Sequence, residues 1–456
     1  PQQKRGVRNT ISTMLYDLEM METDGSWRPR YTSSCVCKYS KKSHFLHISG
    51  PMSCSHKAFS VYAYEEKHDN QDLWEHGCLE RVLDRLEKIS RPQPNIVYIS
   101  LLKSCIRGKN LPCIDRIRAL IGIHKIDVCG SLGKQLVMTL SKCGSLEDAL
   151  EIFNESSCRS VFTWTAIISA YVDRGQSRDA LIMYKYMQEE GVEPDDYTFV
   201  SLLKACGNIP DMIEGKNIHS SVRHKNLEED VFVGTTLVSM YGKCGEIKEA
   251  ENVFIGLKLR NLISWNAMLS AYVDQGLGDR ALLLYRQMHE ERIVPNCQTI
   301  LITLQACGVL AEKDEYYIEK ENKAIALAIA QALHSYSRRK KFVTDDFVSN
   351  TLVSLYGKCG TVKHSEEVFQ NVSKCSVISW TALISSYVEG GQGKKALQAF
   401  LEMHAEGMDP NQQTFVTALQ ACCILEETNK DIVFEEKYTS AEIGLSLHTD
   451  AQKKFY

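Results

Sequence analysis

Proline is scarce, 10 in 456 residues. A chain so poor in it suits helices, whose interiors proline breaks. No stretch of 18 or more apolar residues occurs, which excludes an ordinary transmembrane helix. Charge of either sign is not in excess: 53 Lys and Arg face 57 Asp and Glu, a net of −4. The chain therefore carries no polycationic signal for nucleic acid or membrane. P-loop, GxGxxG, GxSxG and HExxH patterns are all missing, so no catalysis by this chain is expected. What is present fits a folded protein: 44% hydrophobic and 24% charged residues. At about 150 residues per domain the length allows three domains or one elongated array. The 17 cysteines are odd in number. In so long a chain, without a secretory signal, they read as thiols of a reducing compartment. The chain opens on Pro1 and Tyr456 interrupts a pattern, so a fragment of a longer protein is expected.

That pattern is a repeat. The segments 161–195, 262–296 and 377–411 share one register, each 35 residues long, with Trp164, Trp265 and Trp380 in the same place. Units of 31 residues at 231–261 and 346–376 alternate with them, and 130–160 is a divergent copy. A third kind carries Leu-x-x-Cys near its start, Leu102 to Cys105, Leu203 to Cys206, Leu304 to Cys307 and Leu419 to Cys422. It occupies 95–129, 196–230, 297–345 and 412–456. Trp164 to Trp265 is 101 residues and Trp265 to Trp380 is 115. The second triplet thus holds 14 extra residues, expected in a turn within about 311–328. The last unit holds 13 more in the corresponding place, because His448 matches His219 and His334.

Each unit reads as two helices. In 161–195 the first is expected from about Thr165 to Arg174 and the second from about Ser177 to Glu190. Ala180, Tyr184 and Met187 form the second helix's apolar stripe. A single hairpin is too thin to bury its own stripe, so neighbours must stack. The fold class is all-α, an α-solenoid of helix-turn-helix repeats.

These residues resemble the pentatricopeptide-repeat family. The marks are the 35-residue unit, Trp-Asn/Thr-Ala near its start, Ala-Leu in its second helix and Pro-Asp/Asn at its end. The alternation of 35, 35 and 31 is similar to the plant subclass with P, L and S motifs in series. The resemblance divides the array into L 95–129, S 130–160, P 161–195, L 196–230, S 231–261, P 262–296, L 297–345, S 346–376, P 377–411 and a partial L 412–456. It implies a right-handed superhelix that binds single-stranded RNA in an organelle, mitochondrion or chloroplast, with one nucleotide per repeat. In the P-L-S subclass it also implies C-to-U editing, with editing cofactors or a deaminase supplied in cis or in trans. No cofactor and no membrane partner are implied.

Carried over by register, the base-recognition couples are Thr165 with Asp195, Thr235 with Asn261, Asn266 with Asn296, Asn350 with Ser376, and Thr381 with Asn411. A terminal Asp only accepts hydrogen bonds and so matches the ring N–H of guanine or uracil; Asn and Ser can donate to adenine or cytosine. The resemblance implies the register G, x, A, C/U, x, C, A, where each x is an L unit with Val200 or Leu301 at its fifth place. Residue two of each unit is implied to meet a base face: Phe162, Phe232, Ile263, Phe347 and Ile378. The unit 130–160 has Lys134 and Ser160 at the code positions. It is assigned no base, and Lys134 is a candidate for a phosphate.

Plainer readings compete. Asn and Thr near helix starts serve as N-caps with or without RNA, although five couples in register favour binding. A protein-binding helical scaffold is the alternative to RNA. Cys143, Cys244 and Cys359, like Cys105, Cys206, Cys307 and Cys422, are expected to be core residues too far apart to share a metal. Cys35 and Cys37 form a CxC without a partner pair. His289 and His404 each begin an HxE, yet no PCxxC accompanies them, so both read as solvated helix ends. Residues 1–94 read as a leader, either transit-like, because 25–64 hold nine serines and no acid, or a disordered basic segment. Within it 71–90 reads as an amphipathic helix that caps the first repeat. Beyond the leader the array holds 39 basic and 45 acidic residues, so RNA binding requires the charges to be sorted by position.

Overall fold

The computed structural model describes residues 76–89, 91–108, 110–128, 130–155, 159–313, 319–372, 375–428 and 440–455. The leader up to residue 75, with Cys35, Cys37 and the transit-like segment, lies outside them. The described residues fall into two compact units that divide within the 161–195 hairpin. One holds 76–174 and 182–193, the other 175–181 and 194–455.

The first unit begins with α1 (His76–Glu87), whose Leu79, Leu83 and Leu86 are buried. It is followed by α2 (Asn95–Gly108), α3 (Leu111–Ile123), α4 (Ser131–Cys143), α5 (Leu146–Glu155), α6 (Val161–Asp173) and most of α7 (Ser177–Glu189). α1 lies against α3, where Arg116 reaches Asp84 at 2.5 Å and Glu87 at 2.7 Å. The first helices α2, α4 and α6 pack in a row, and α5 covers both α4 and α6.

The second unit repeats this plan in α8 (Asp196–Asn208), α9 (Met212–His224), α10 (Val231–Lys243), α11 (Ile247–Gly256), α12 (Leu262–Asp274), α13 (Gly278–Glu290) and α14 (Cys297–Ala311). It continues through α15 (Glu319–Lys340), α16 (Asp346–Lys358), α17 (Val362–Gln370), α18 (Val377–Glu389), α19 (Gly393–Ala405), α20 (Gln412–Thr428) and α21 (Ser440–Phe455). Here α8, α10, α12, α14, α16, α18 and α20 form one layer, each packed on the next. The second helices form the other layer, each wedged between its own first helix and the following one. Each unit is thus a two-layered stack of hairpins, the α-solenoid arrangement.

One contact recurs at each passage from a 31-residue to a 35-residue unit. Trp164, Trp265 and Trp380 are buried edge-on against Phe153, Phe254 and Phe369, with ring centroids 4.7, 5.0 and 4.8 Å apart. Each such pair adds about 1 kcal/mol beyond the area it buries. The first helices then close through glycine: a Cβ on Gly242 would stand 2.5 Å from the Ala271 methyl, and one on Gly357 2.6 Å from Ser386 Cα. The second helices of the 35-residue units end on a left-handed residue, Gly191 (φ 71), Arg292 (φ 61) and Gly407 (φ 76). For Arg292 that conformation costs about 1 kcal/mol.

Two expectations are corrected. The first helix of 161–195 starts at Val161, not near Thr165. Ser160 is extended and its carbonyl already accepts from the Trp164 N–H; β-branched Val161 and Thr163 hide that start from propensity alone. Nor do the 14 extra residues of 297–345 lie wholly in a turn. By register Leu327 matches Met212, so α15 carries eight helical residues, Glu319–Ala326, that α9 lacks. Its run Glu-Lys-Glu-Asn-Lys-Ala-Ile-Ala-Leu-Ala is built of strong helix formers.

Gly242→Val is expected to lower stability by about 2 kcal/mol, since Ala271 leaves the new side chain no room. Gly256→Ala, which meets nothing within 4 Å, leaves it unchanged; urea melting of both variants compares the two.

Candidate functional site

The last residue of each code unit caps the next helix. Asp195 starts α8, Asn261 α12, Asn296 α14 and Ser376 α18. Asn411 stands ahead of α20 in the same way, its Oδ1 accepting from the Thr414 N–H at 2.9 Å. The capping role expected for the fifth residues therefore belongs to these terminal ones. Thr165, Thr235, Asn266, Asn350 and Thr381 each lie a full turn inside their helix.

The cap fixes which atom of the terminal side chain faces inward. Asn296 Oδ1 accepts from the Thr299 N–H (2.9 Å), the Thr299 hydroxyl (2.8 Å) and the Asn266 amide (3.4 Å). Thr299 Oγ1 is also 2.8 Å from Asn266 Oδ1. With the oxygen so engaged, Nδ2 is the polar group left to the exposed side of Asn296. Asn261 Oδ1 likewise accepts from the Ser264 N–H at 2.9 Å. Asn411 Oδ1 takes both the amide and the hydroxyl of Thr414. Asp195 Oδ1 accepts from the Thr198 N–H (2.8 Å) and hydroxyl (2.7 Å), and the rest of its carboxylate can only accept.

The structure joins two of the five couples. Asn266 meets Asn296 directly, and Thr381 reaches Asn411 through Thr414, Oγ1 to Oγ1 at 2.7 Å. Thr235 Oγ1 and Asn350 Oδ1 are buried without a hydrogen-bond partner among the described residues, so their bonding capacity is unfilled. Thr165 belongs to the first unit, where its hydroxyl donates to Val161 O at 2.7 Å; Asp195 belongs to the second. A hydroxyl on the third residue of the following unit, Thr198, Ser264, Thr299, Ser379 or Thr414, is fully buried at each cap. Sequence reading missed these five, although hydroxyls recurring at the third place were the signal.

Residue two is exposed in every code unit: Phe162 49%, Phe232 70%, Ile263 61%, Phe347 67% and Ile378 58%. In the second unit Phe232, Ile263, Phe347 and Ile378 repeat a large apolar side chain in water at corresponding places, which a fold stabilised by burial does not require. In the second unit no residue at place two or five is charged. In the first, Lys134 Nζ lies 4.3 Å from the centroid of the Phe162 ring, so a cation sits on that aromatic face.

Two other expectations change. Cysteines of neighbouring units do come together, with Cys143 Sγ 3.8 Å from Cys105 O and Cys244 Sγ 4.0 Å from Cys206 O. Burial pushes the Cys105 and Cys206 thiols up to about 12 and those of Cys359 and Cys422 to about 11. They stay protonated, which suits packing and not metal binding. Among the described residues no group of three His, Cys, Asp or Glu could hold a metal ion, and no helix is long and apolar enough to cross a membrane. His289 is half-buried and not a solvated helix end: it packs edge-on against Tyr285 at 4.6 Å, and burial lowers its pKa to about 4. His404 is exposed, with its ring 5.1 Å from Phe400.

Between pH 4 and 6.5 unfolded His289 binds a proton that the folded ring refuses, so stability rises with pH there and is complete above 6.5. His289→Gln is expected to flatten that part of a melting-temperature profile; an unchanged slope would show that the ring does not titrate against folding.

Comparison with known proteins follows the same register. The PPR repeat family matches residues 159–208, 260–308 and 375–424, and a second description, PPR repeat, matches 235–262 and 347–377. A pentatricopeptide repeat-containing protein of Arabidopsis thaliana is 33% identical over 326 residues, 72% of this chain and 41% of that protein. Another from the same plant, CRR2, named chloroplastic, is 32% identical over 358 residues, 77% of this chain and 52% of that one. The chain spans about half the length of these relatives. A crystal structure of the maize pentatricopeptide repeat protein PPR10 aligns with a TM-score of 0.41 at 18% identity, covering 84% of this chain and 60% of that one.

Proposed function

The chain belongs to the pentatricopeptide-repeat family, and from that membership we propose that it binds single-stranded RNA, one base per code unit. The carrying observation is the cap. It turns one polar atom of Asn261, Asn296 and Asn411 inward and leaves the amide nitrogen outside. Asp195 keeps only acceptors in the same position. A donor there matches the ring acceptor of adenine or cytosine, and an acceptor matches the ring N–H of guanine or uracil. The exposed side chains of Phe162, Phe232, Ile263, Phe347 and Ile378 supply sequence-tolerant contact with base faces.

Read in this way, the couples select G at Thr165 with Asp195, A at Thr235 with Asn261, C or U at Asn266 with Asn296, C at Asn350 with Ser376 and A at Thr381 with Asn411. The order of P, L and S units supports the P-L-S subclass and the choosing of a site in an organellar transcript for C-to-U editing. A deaminase in cis or in trans would supply the chemistry, and this chain the address. Relatives named chloroplastic support an organellar location.

RNA carrying G-x-A-Y-x-C-A is expected to bind at least tenfold tighter than a scrambled oligonucleotide of the same composition. Thr165→Asn should change the preference at the first nucleotide alone. Equal affinity for both oligonucleotides would favour a protein-binding scaffold instead.

A further inference from the structure

The two complete L units of the second compact unit, 196–230 and 297–345, differ most in charge at one turn, where the second helix hands over to the next repeat. With His219 aligned to His334, Arg-His-Lys-Asn-Leu-Glu-Glu-Asp (223–230) matches Arg-Arg-Lys-Lys-Phe-Val-Thr-Asp (338–345). The first has two basic residues and three acidic ones, the second four and one. The scaffold around the turn is kept. His219 Nδ1 lies 2.7 Å from Tyr241 OH, and His334 Nδ1 3.0 Å from Tyr356 OH. Asp230 and Asp345 cap α10 and α16 through the same two amides. Asn226 (φ 55) and Lys341 (φ 60) make the same left-handed step.

What differs is neutralisation. In the earlier turn Glu228 bonds His219 at 2.9 Å and Arg223 at 2.9 Å, and Glu229 pairs with Lys258. In the later one Val343 and Thr344 stand in place of both glutamates. Arg338, Arg339, Lys340 and Lys341 are all exposed. Arg338, Lys340 and Lys341 form no ion pair with any described residue, and Lys340 Nζ hangs 5.9 Å from the Tyr336 ring. Adjacent like charges repel, and the fold gains nothing by holding Arg338, Lys340 and Lys341 without acids, so the turn is suited to an anion.

Its position says which anion. Val343 O accepts from the Ser349 hydroxyl at 2.7 Å, which ties the turn to α16 beside Asn350. Lys341 is six residues before the exposed Phe347, within about 20 Å along the chain. We propose that Arg338, Lys340 and Lys341 bind the phosphates flanking the nucleotide taken by the 346–376 unit, an electrostatic anchor in an array that is otherwise acidic overall. This rests on the RNA reading above. The turn reads no base; it holds the strand while Phe347, Asn350 and Ser376 select.

The test is the salt dependence of binding. Lys340→Gln with Lys341→Asn removes two of the turn's unpaired charges, and Asn suits the left-handed place. Lys216→Gln with Lys248→Gln removes equal charge from exposed second-helix positions. Fluorescence anisotropy with labelled G-x-A-Y-x-C-A RNA is read from 50 to 200 mM KCl. Each lost phosphate contact lowers the slope of log K against log salt by about 0.7, so the turn variant should lose about 1.4 and the control none. The matched-to-scrambled ratio should stay the same. A wild-type slope in the turn variant, or an equal drop in the control, overturns the anchor while the RNA reading stands. Loss of poly-glutamate binding with an unchanged RNA slope assigns the turn to an acidic protein and likewise overturns it. No binding by the wild type at any salt overturns both.

Discussion

One hydrogen bond sets what this surface can display: the bond from a backbone N–H to the side-chain oxygen of the residue just before each first helix from α8 to α20. Helix starts leave amides without partners, and Asn, Asp or Ser ahead of the helix satisfies one of them at about 1 kcal/mol. Because an amide or carboxylate group has two polar ends, fixing one decides the other. Folding thus orients the group before any ligand arrives. The buried hydroxyls of Thr198, Thr299 and Thr414 stiffen the arrangement by bonding the same oxygen again. Preorganised polar groups lose less on binding than groups that must first be ordered.

The orientation has value only if the helices hold a regular spacing. Trp on Phe fills the passage between unlike units, and glycine against alanine or serine sets how near the first helices come. Both contacts recur at sequence-fixed intervals, so the caps recur with them. In the proposed reading, selection and anchoring are separate tasks for separate residues. The row at places two and five is uncharged in the second unit, whereas positive charge collects at 338–341. A net acidic array and an anionic ligand are compatible when charge is sorted in this way.

Much of this was legible in the sequence, for a physical reason. Stacking requires the same side chain at the same depth in each hairpin, so Trp164, Trp265 and Trp380 announce the period by themselves. Family resemblance added the couples, and register alone located them. What escaped were features decided by three-dimensional neighbours. Ser160 begins a helix through its carbonyl, which no side-chain pattern marks. The residues added to 297–345 lengthen a helix because their own propensity prevails over the hairpin's usual turn. His289 is half-buried against Tyr285 one turn earlier, whereas its counterpart His404 remains exposed. The third-place hydroxyls were visible as a period, yet their role follows only from the cap geometry.

The central claim is that the outward atom of a capping residue chooses the base while its inward atom holds the fold. Asn411→Asp separates the two, since Asp caps as well as Asn but presents an acceptor where Asn presents a donor. Binding of RNAs varied at the nucleotide facing 377–411, together with a melting curve, measures both. The account requires the preference there to move from adenine to guanine with the melting temperature unchanged. A loss of affinity for every RNA alike, or a preference that stays on adenine, would contradict it.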